Sequence, residues 1–294
     1  MLTRYLYYSF IITFSFLFSF KEKFDTEIGK CHLNIENSNN NLDLKNQIKF
    51  SAQSLVKQFG PVSKNDFYIN IISNKNKIKK FPDWASGVAI GSQVFIHHNK
   101  LSSTVLNHEL CHIYQHKIKN SNTFPSWFKE GMAMYFSKDF FDKEITTLSE
   151  SILLDYVIEL DKLHNISNLK NIKEIKVAYK ESLYAYEKLI NLYSHNSVKE
   201  IISKMNHTSF QKAFKDIIGI ELKEFQLEID KNIESSSYFP IFLSLPNFLF
   251  FISSIIIFII FIYIKLRNRA IIKKWKLEEE IESLDENNID HNSN

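Results

Sequence analysis

Apolar residues recur with two different periods in the first hundred residues. Between residues 47 and 59 they fall at helical spacing, and Gly60-Pro61 stops the pattern, so we predict an α-helix there. Residues 67–72 alternate and are rich in β-branched and aromatic side chains, which is typical of a strand. The polar stretch 21–45 contains an Asn-rich run and is expected to be a loosely held leader.

A pair of strands is predicted next. Residues 85–90 and 93–97 are β-rich and are joined by a tight turn at Gly91-Ser92. Gly87 lies within the first of these strands, where a glycine indicates either a close approach of another backbone or simple relief of twist. The sequence leaves both readings open.

The chain then becomes helical. Leu106, Leu110 and Ile113 form an apolar stripe at helical spacing, and Ser102 or Ser103 can cap the start of that helix. Gly219 is expected to cap the end of a later helix. Apolar residues with the same spacing predict helices within residues 148–163, 175–193, 198–205, 210–217 and 222–233.

An apolar segment opens the chain. Arg4 is followed by an apolar run from Tyr5 to Phe20, the order of charge and hydrophobicity found in secretion signals. The usual small-x-small cleavage pattern is missing at Ser19-Phe20. The segment is therefore either a cleaved signal peptide or an uncleaved anchor, and both would carry the following residues across a membrane.

A second apolar segment, residues 241–264, carries no charge. At about 1.5 Å per residue it can cross a bilayer core of about 30 Å. The positive-inside rule places the tail after it in the cytoplasm and the residues before it outside, in a cell membrane. Six basic residues support this orientation: Lys265, Arg267, Arg269, Lys273, Lys274 and Lys276. The predicted divisions are 1–24 (signal peptide or anchor), 25–238 (main domain), 241–264 (transmembrane helix) and 265–294 (cytoplasmic tail).

Composition excludes one class of partner. The chain has 36 Lys and Arg against 33 Asp and Glu, a net charge of +3, and no basic stripe runs through its middle, so we expect no nucleic-acid partner. Its two cysteines are Cys31 and Cys111. A disulfide between them would pull on the helix that carries Cys111, so we do not expect one.

The chemistry of the chain is concentrated in His108-Glu109-Leu110-Cys111-His112, which has the pattern H-E-x-x-H. Two histidines four residues apart lie one turn apart on one face of a helix, where both imidazoles can bind a single Zn²⁺. Glu109 is turned off that face but can reach a water held on the metal. This is the arrangement that metal-assisted hydrolysis requires.

A third ligand is offered by the segment that follows. Ser126 can cap a helix starting at Trp127, and Glu130 then lies near its first turn. Gly131 and Ala133 are small, which allows close packing against a neighbouring helix. A helix returning along the first would bring the Glu130 carboxylate to the third metal position.

These two motifs together resemble the peptidase MA-like (gluzincin) zinc metallopeptidases. The second motif is Trp127-x-x-Glu130-Gly131-x-Ala133, and the likeness extends over about residues 67–232. The resemblance implies that His108, His112 and Glu130 bind Zn²⁺ and that Glu109 is the general base and acid. The metzincin pattern fails, because Gln115 and Ile118 stand where it requires Gly and His.

The resemblance also suggests how a substrate is handled. It places Tyr179 on a helix facing the cleft, as the first candidate for the oxyanion donor, with Tyr184, Tyr186 and His195 as rivals. An edge strand beside the metal can hold a peptide by strand addition, which makes Gly87, Val88 and Ala89 candidate substrate contacts. His116 is expected to face solvent, and Cys111 is expected to be a core residue rather than a thiolate ligand.

We therefore expect an α+β fold: a small mixed or antiparallel sheet packed on the HExxH helix, then a mainly helical subdomain and a C-terminal transmembrane helix. The expected activity is that of a membrane-anchored, extracytoplasmic zinc metalloendopeptidase, with Glu109 as base and a peptide or protein as substrate. Two alternatives are a catalytically inactive peptidase-like membrane protein that binds a partner peptide, and a protein in which zinc is structural. Intact Glu109 argues against the first alternative. A site with only three protein ligands and a nearby carboxylate argues against the second.

Overall fold

Five strands form one mixed sheet in the first part of the chain. The computed structural model describes residues 19–36, 42–74, 85–138, 158–163, 166, 169, 171–235 and 246–291. The chain divides into two units, Met1–Ser236 and Ser237–Asn294. The strands are β1 (Ser19–Thr26), β2 (Gly29–Glu36), β3 (Phe67–Ile72), β4 (Gly87–Ile90) and β5 (Gln93–His97).

The sheet has the order β1-β2-β3-β5-β4, so β1 and β4 are its edges. The two outer pairs, β1–β2 and β4–β5, are antiparallel, whereas β3 runs parallel to both β2 and β5. The predicted strands at 67–72 and 93–97 are confirmed at both ends, and the predicted turn at Gly91 joins β4 to β5.

The prediction of a loosely held leader over residues 21–45 was wrong, because most of that stretch is structured. Residues up to Glu36 form the hairpin β1–β2, and α1 already begins at Leu42. Cys31, Leu33 and Ile35 alternate with polar residues on β2 and are buried against the core. Strand β1 also begins at Ser19, within the stretch 1–24 assigned to an export segment; residues 1–18 lie outside the described part.

Six α-helices are present among the described residues of the first unit. They are α1 (Leu42–Phe59), α2 (Ser103–His116), α3 (Ser126–Ser137), α4 (Ile172–Lys204), α5 (Phe210–Ile218) and α6 (Leu222–Ser235). Helix α1 buries Ile48, Ala52, Leu55 and Phe59, which share one face because they recur at steps of three or four. It ends at Gly60, as predicted, where φ is +103°.

The later helices follow the predicted pattern with one exception. Helix α4 covers both predicted pieces and has a non-helical residue between them, Ser194. Gly219 caps α5 in the left-handed conformation. The helix predicted over 148–163 falls mainly outside the described residues, and its described end, 158–163, is turn and coil.

Helices α3 and α4 come into close contact at Gly131. A Cβ on Gly131 of α3 would stand 2.2 Å from the carbonyl oxygen of Ser182 and 2.6 Å from Cβ of Tyr186, both on α4. Only glycine fits there, because a side-chain atom would have to displace backbone. The prediction that Gly131 permits tight packing is confirmed, and this contact fixes α3 against α4.

The described residues of the second unit form one helix, α7 (Pro246–His291). Within the described residues, its stretch Leu249–Glu279 alone is long and apolar enough to cross a membrane by length and composition. Nearly all apolar side chains of that stretch are exposed. The α+β class is confirmed, with a mixed sheet followed by a mainly helical part. Residues 236–245, which include the start of the predicted transmembrane helix at 241, lie outside the described residues.

Candidate metal centre and active site

Helix α2 carries the two histidines of the HExxH motif. Its first turn is capped by Ser102, whose side chain accepts a hydrogen bond from the Val105 amide at 3.2 Å. Because four residues make about one turn, His108 and His112 lie on the same face. Their Nε2 atoms are 3.1 Å apart.

Helix α3 brings the third group. It begins at Ser126 directly after Pro125, which stands at the N-cap, so the prediction that Ser126 caps this helix was wrong. The helix packs against α2 and α4, and its Glu130 points back at the histidine pair. Glu130 Oε2 lies 3.5 Å from His108 Nε2 and 3.4 Å from His112 Nε2.

The three atoms fit the ligand positions of one small cation. Bonds of about 2.0–2.1 Å in a tetrahedral zinc site space the ligand atoms about 3.3–3.4 Å apart. The observed separations of 3.1, 3.4 and 3.5 Å bracket that value. Glu130 Oε2 is also a buried atom without a hydrogen-bond partner among the described residues. Two imidazoles and one carboxylate are a donor set that suits zinc.

The electrostatics of the group also favour a cation. Burial raises the pKa of Glu130, but the neighbouring His112 and His108 outweigh burial and lower it well below its usual range. Burial lowers the pKa of His112, but Glu130 outweighs that effect and the net pKa is about 9. Without a metal, the group therefore holds a proton among its three ligand atoms, and metal binding would release it.

Glu109 lies beside this group and is 6% exposed. The pKa of its carboxyl group is raised, mainly by burial and also by the nearby charge of Glu130. The two histidines lower the pKa of Glu109 but do not cancel the effect of burial. Its Oε2 atom has no hydrogen-bond partner in the part of the chain that the structure describes. This oxygen is thus held next to the metal-binding atoms without a hydrogen-bond donor among the described residues.

Gly87 on β4 makes room for that carboxylate. A Cβ at this position would lie 2.7 Å from Oε1, 2.8 Å from Cγ and 3.0 Å from Cδ of Glu109. The close approach considered from the sequence does occur, but the approaching group is the Glu109 side chain and not another backbone. Helix α2 packs against β4 and β5, which brings the edge of the sheet to the metal site.

A cavity of about 610 Å³ opens over the site. It is lined by the three candidate ligands and Glu109, and also by the predicted substrate contacts Gly87, Val88 and Ala89. A second cavity of about 340 Å³ is also lined by Glu109 and His108, and its wall includes Val105, Ile172 and Ile175. This second cavity was not predictable from the sequence, because its wall combines residues that are distant in the chain.

Tyr179 lies at this site, whereas its three rivals are not among the described residues that line either cavity. The rings of Tyr179 and His108 are 6.2 Å apart, and Tyr179 borders both cavities. Tyr186 is fully buried. His195 pairs through Nε2 with the hydroxyl of Tyr135 at 3.0 Å.

The two cysteines are both free and buried, which agrees with the expectation that no disulfide joins them. Cys111 lies in the core, and burial raises the pKa of its thiol well above the usual value. Its sulfur does not belong to the described group of metal-binding atoms. His116 is exposed, as expected.

Gln115 is a contact that the sequence did not suggest. Its side chain is 3% exposed, and its Oε1 lies 2.9 Å from His112 Nδ1. In the sequence this residue only excluded the metzincin pattern. Its position seven residues after His108, on the metal-facing side of α2, was the available signal.

Comparisons with known proteins add only a distant structural likeness. No protein-family model matches the sequence, and no curated protein matches it. An M1 zinc metallopeptidase from Deinococcus radiodurans, solved as a mutant bound to a Tyr-Ser-Ala substrate, is 10% identical with a TM-score of 0.47, covering 75% of this chain and 53% of its own. An aminopeptidase N family protein from Idiomarina loihiensis is 12% identical with a TM-score of 0.49, covering 74% of this chain and 48% of its own.

The chain thus spans about half the length of these proteins. A likeness with a TM-score below 0.5 does not identify a function, so the functional assignment rests on the geometry of the site. What the comparisons give is this: over three quarters of its length the chain is structurally similar to M1 zinc metallopeptidases, and its His108, His112 and Glu130 have the composition of an HExxH…E zinc site.

Proposed function

We propose that this protein is a membrane-anchored zinc metalloendopeptidase. The observation that carries the proposal is the convergence of His108, His112 and Glu130 at zinc-ligand spacing, with the buried carboxylate of Glu109 beside them. Three protein ligands are the number found in catalytic zinc sites, which keep a further position for water or substrate. A structural site commonly uses four protein ligands instead.

The bound zinc would supply Lewis-acid chemistry, acidifying water and polarising the peptide carbonyl. Glu109 accepts a proton from the attacking water at its carboxylate and then delivers that proton to the nitrogen of the leaving amine. Its burial supports this role, because a carboxylate that has lost its water shell binds a proton more readily. Gly87 keeps space open for Glu109 on the side of the sheet.

Tyr179 is the proposed donor to the oxyanion that forms at the carbonyl. Its place between the two cavities, near His108, supports the assignment. Val88 and Ala89 lie on an edge strand that lines the site, and an extended peptide can add to that edge through main-chain hydrogen bonds.

Cleavage within a chain, rather than at its end, is supported by the two cavities. The two cavities share Glu109, His108, Gly87 and Tyr179, so together they offer a longer binding space than a single terminal residue needs. An enzyme that removes N-terminal residues needs a group to bind the free amine. Among the described residues that line the cavities, the only carboxylates are Glu109 and Glu130, and both have other roles here.

The apolar stretch of α7 supports a membrane anchor, and the basic residues after it support a cytoplasmic tail. We propose the division into an N-terminal export segment, a peptidase domain outside the cytoplasm, the anchor at 241–264 and the tail at 265–294. The bilayer is then a partner of the protein, and the site faces peptides outside the cytoplasm.

The test compares two Glu→Gln substitutions in the full chain, solubilised in detergent and supplied with zinc. Glu109→Gln should keep bound zinc but lose cleavage of an unfolded protein substrate by about 10²- to 10⁴-fold, the usual contribution of a general base. Glu200→Gln, at an exposed position on α4, is the matched control and should cleave normally. A chelator should abolish cleavage by wild type, and zinc should restore it.

Other results would contradict the proposal. Unchanged cleavage by Glu109→Gln would remove this residue from the chemistry. Wild type that binds zinc and peptide but never cleaves would favour the peptide-binding alternative. Release of single terminal residues, with no internal cuts, would refute the endopeptidase assignment and leave the zinc hydrolase assignment intact.

A further inference from the structure

The side chain of Gln115 connects the two helices that carry the candidate metal ligands. Its Oε1 lies 2.9 Å from Nδ1 of His112, on its own helix α2. Its Nε2 donates to the carbonyl oxygen of Lys129 at 2.8 Å, on α3 and directly before Glu130. The same Nε2 lies 3.7 Å from Sγ of Cys111.

These contacts fix the orientation of the Gln115 amide. A carbonyl oxygen such as that of Lys129 only accepts hydrogen bonds, so the NH₂ end of the amide must face it and Oε1 must face His112. The reverse orientation would place two oxygens against each other in a site that is 3% exposed. Since Oε1 only accepts, Nδ1 of His112 must carry the proton.

The tautomer of His112 follows. With its proton on Nδ1, a neutral His112 presents the lone pair of Nε2 to the point where Nε2 of His108 and Oε2 of Glu130 converge. His108 has no such help within the described residues, because its Nδ1 is buried without a hydrogen-bond partner. Of the two histidines, His112 is therefore the one whose tautomer is fixed for metal binding by a hydrogen bond to a described residue.

We propose that Gln115 is a positioning residue for the metal site, which orients His112 and holds α3 at the distance that Glu130 requires. The proposal rests on zinc being the metal of the proposed function, and it makes Gln115 a determinant of metal affinity. Partners of this kind orient the ring of a ligating histidine, and their loss typically weakens metal binding by about 10- to 100-fold.

The experiment measures zinc affinity by competition with a chelator, using the full chain in detergent. Gln115→Met keeps the length of the side chain but removes both hydrogen bonds, and should weaken zinc binding by about 10- to 100-fold. Gln115→Glu keeps an acceptor for His112 and loses the donor to Lys129. It should bind zinc more tightly than the Met variant, although its oxygen against the Lys129 carbonyl lowers the melting temperature.

Gln226→Met is the matched control. Gln226 is also a buried glutamine, 8% exposed, but it lies on α6 outside both cavities. This variant should keep the zinc affinity of wild type even if its stability falls. If Gln115→Met does not fold, Gln115→Asn, which withdraws the same amide by one methylene group, should show the same loss of affinity.

Wild-type zinc affinity in a folded Gln115→Met variant would overturn the proposal. So would an equal loss in the Met and Glu variants, since a purely structural role predicts no rescue by an acceptor. Wild type that binds zinc without cleaving peptides would refute the proposed function alone, because the comparison of zinc affinities would still decide the role of Gln115.

Discussion

Replacing Gly87 with alanine should disable the proposed base and leave the proposed metal site intact. Gly87 is not in the left-handed region of backbone space, so alanine can adopt its conformation. The effect of the added methyl group is therefore steric. The three nearest atoms that it would meet belong to Glu109.

The structure gives the size of the disturbance. The new Cβ would lie 2.7 Å from Oε1 of Glu109, whereas an ordinary contact begins at 3.4 Å, so the carboxylate must move by about 0.7 Å. Misplacing a reacting group by about 1 Å can cost about 10²-fold in rate. We expect kcat to fall by roughly 10- to 100-fold, which corresponds to about 1.4–2.7 kcal/mol in the barrier.

The assay combines kcat and KM on an internally quenched peptide with the zinc affinity of each variant. Gly87→Ala should lower kcat while its zinc affinity stays within about threefold of wild type. A double-mutant cycle supplies the control: in a Glu109→Gln background, adding Gly87→Ala should have little further effect, because both changes act on one group. Unchanged kcat would refute the reasoning, and so would a loss of zinc affinity that matches the loss of kcat.

Three further outcomes are expected. Tyr179→Phe should lower kcat by about 10²- to 10³-fold at unchanged zinc affinity, as measured on the same peptide, and equal activity would remove Tyr179 as the oxyanion donor. Gly131→Ala should lower the melting temperature, because its methyl group would push α3 away from the Ser182 carbonyl on α4. Overpacking of this kind lowers the free energy of unfolding by about 1–3 kcal/mol. Burial, with a smaller contribution from Asp230, raises the pKa of Glu181 from 4.5 to about 8, so the folded state holds a proton that the unfolded state releases. The contribution of Glu181 to wild-type stability should therefore be fully present below pH 4.5 and fall as the pH rises towards 8, by on the order of 4 kcal/mol. Glu181→Gln should flatten that slope in urea denaturation at pH 5 and pH 8, and an equally steep slope in the variant would show that another group causes it.

Elements with a clear period were predictable from the sequence. Strand β3 and strand β5 alternate cleanly, and α1 repeats its apolar residues at helical steps before Gly60, so local pattern alone located them. Strand β2 alternates as well, but its polar face carries charges and an Asn-rich run follows. That surface composition hid a strand whose other face is fully buried.

The site was predictable to the extent that ligand chemistry is local. The spacing of His108 and His112 requires only a helix, and Glu130 requires only a helix that returns. The partner of Gly87 and the contacts of Gln115 depend on how α2 meets the sheet and α3, which no local pattern encodes. A glycine in a strand indicates a close approach without naming the atoms that approach.

The two edges of the sheet differ in their charge, and this difference affects the tendency of the protein to aggregate at high concentration. Strand β1 carries Lys21, Glu22, Lys23 and Asp25, and charges of this kind protect an edge from pairing with another molecule. Strand β4 has no charged residue, and its Ile90 is exposed. The uncharged edge at β4, to which we propose that a substrate peptide adds, is therefore also an edge at which two copies of the protein can pair. An excess of a short extended peptide should compete for that edge and reduce aggregation in concentrated samples.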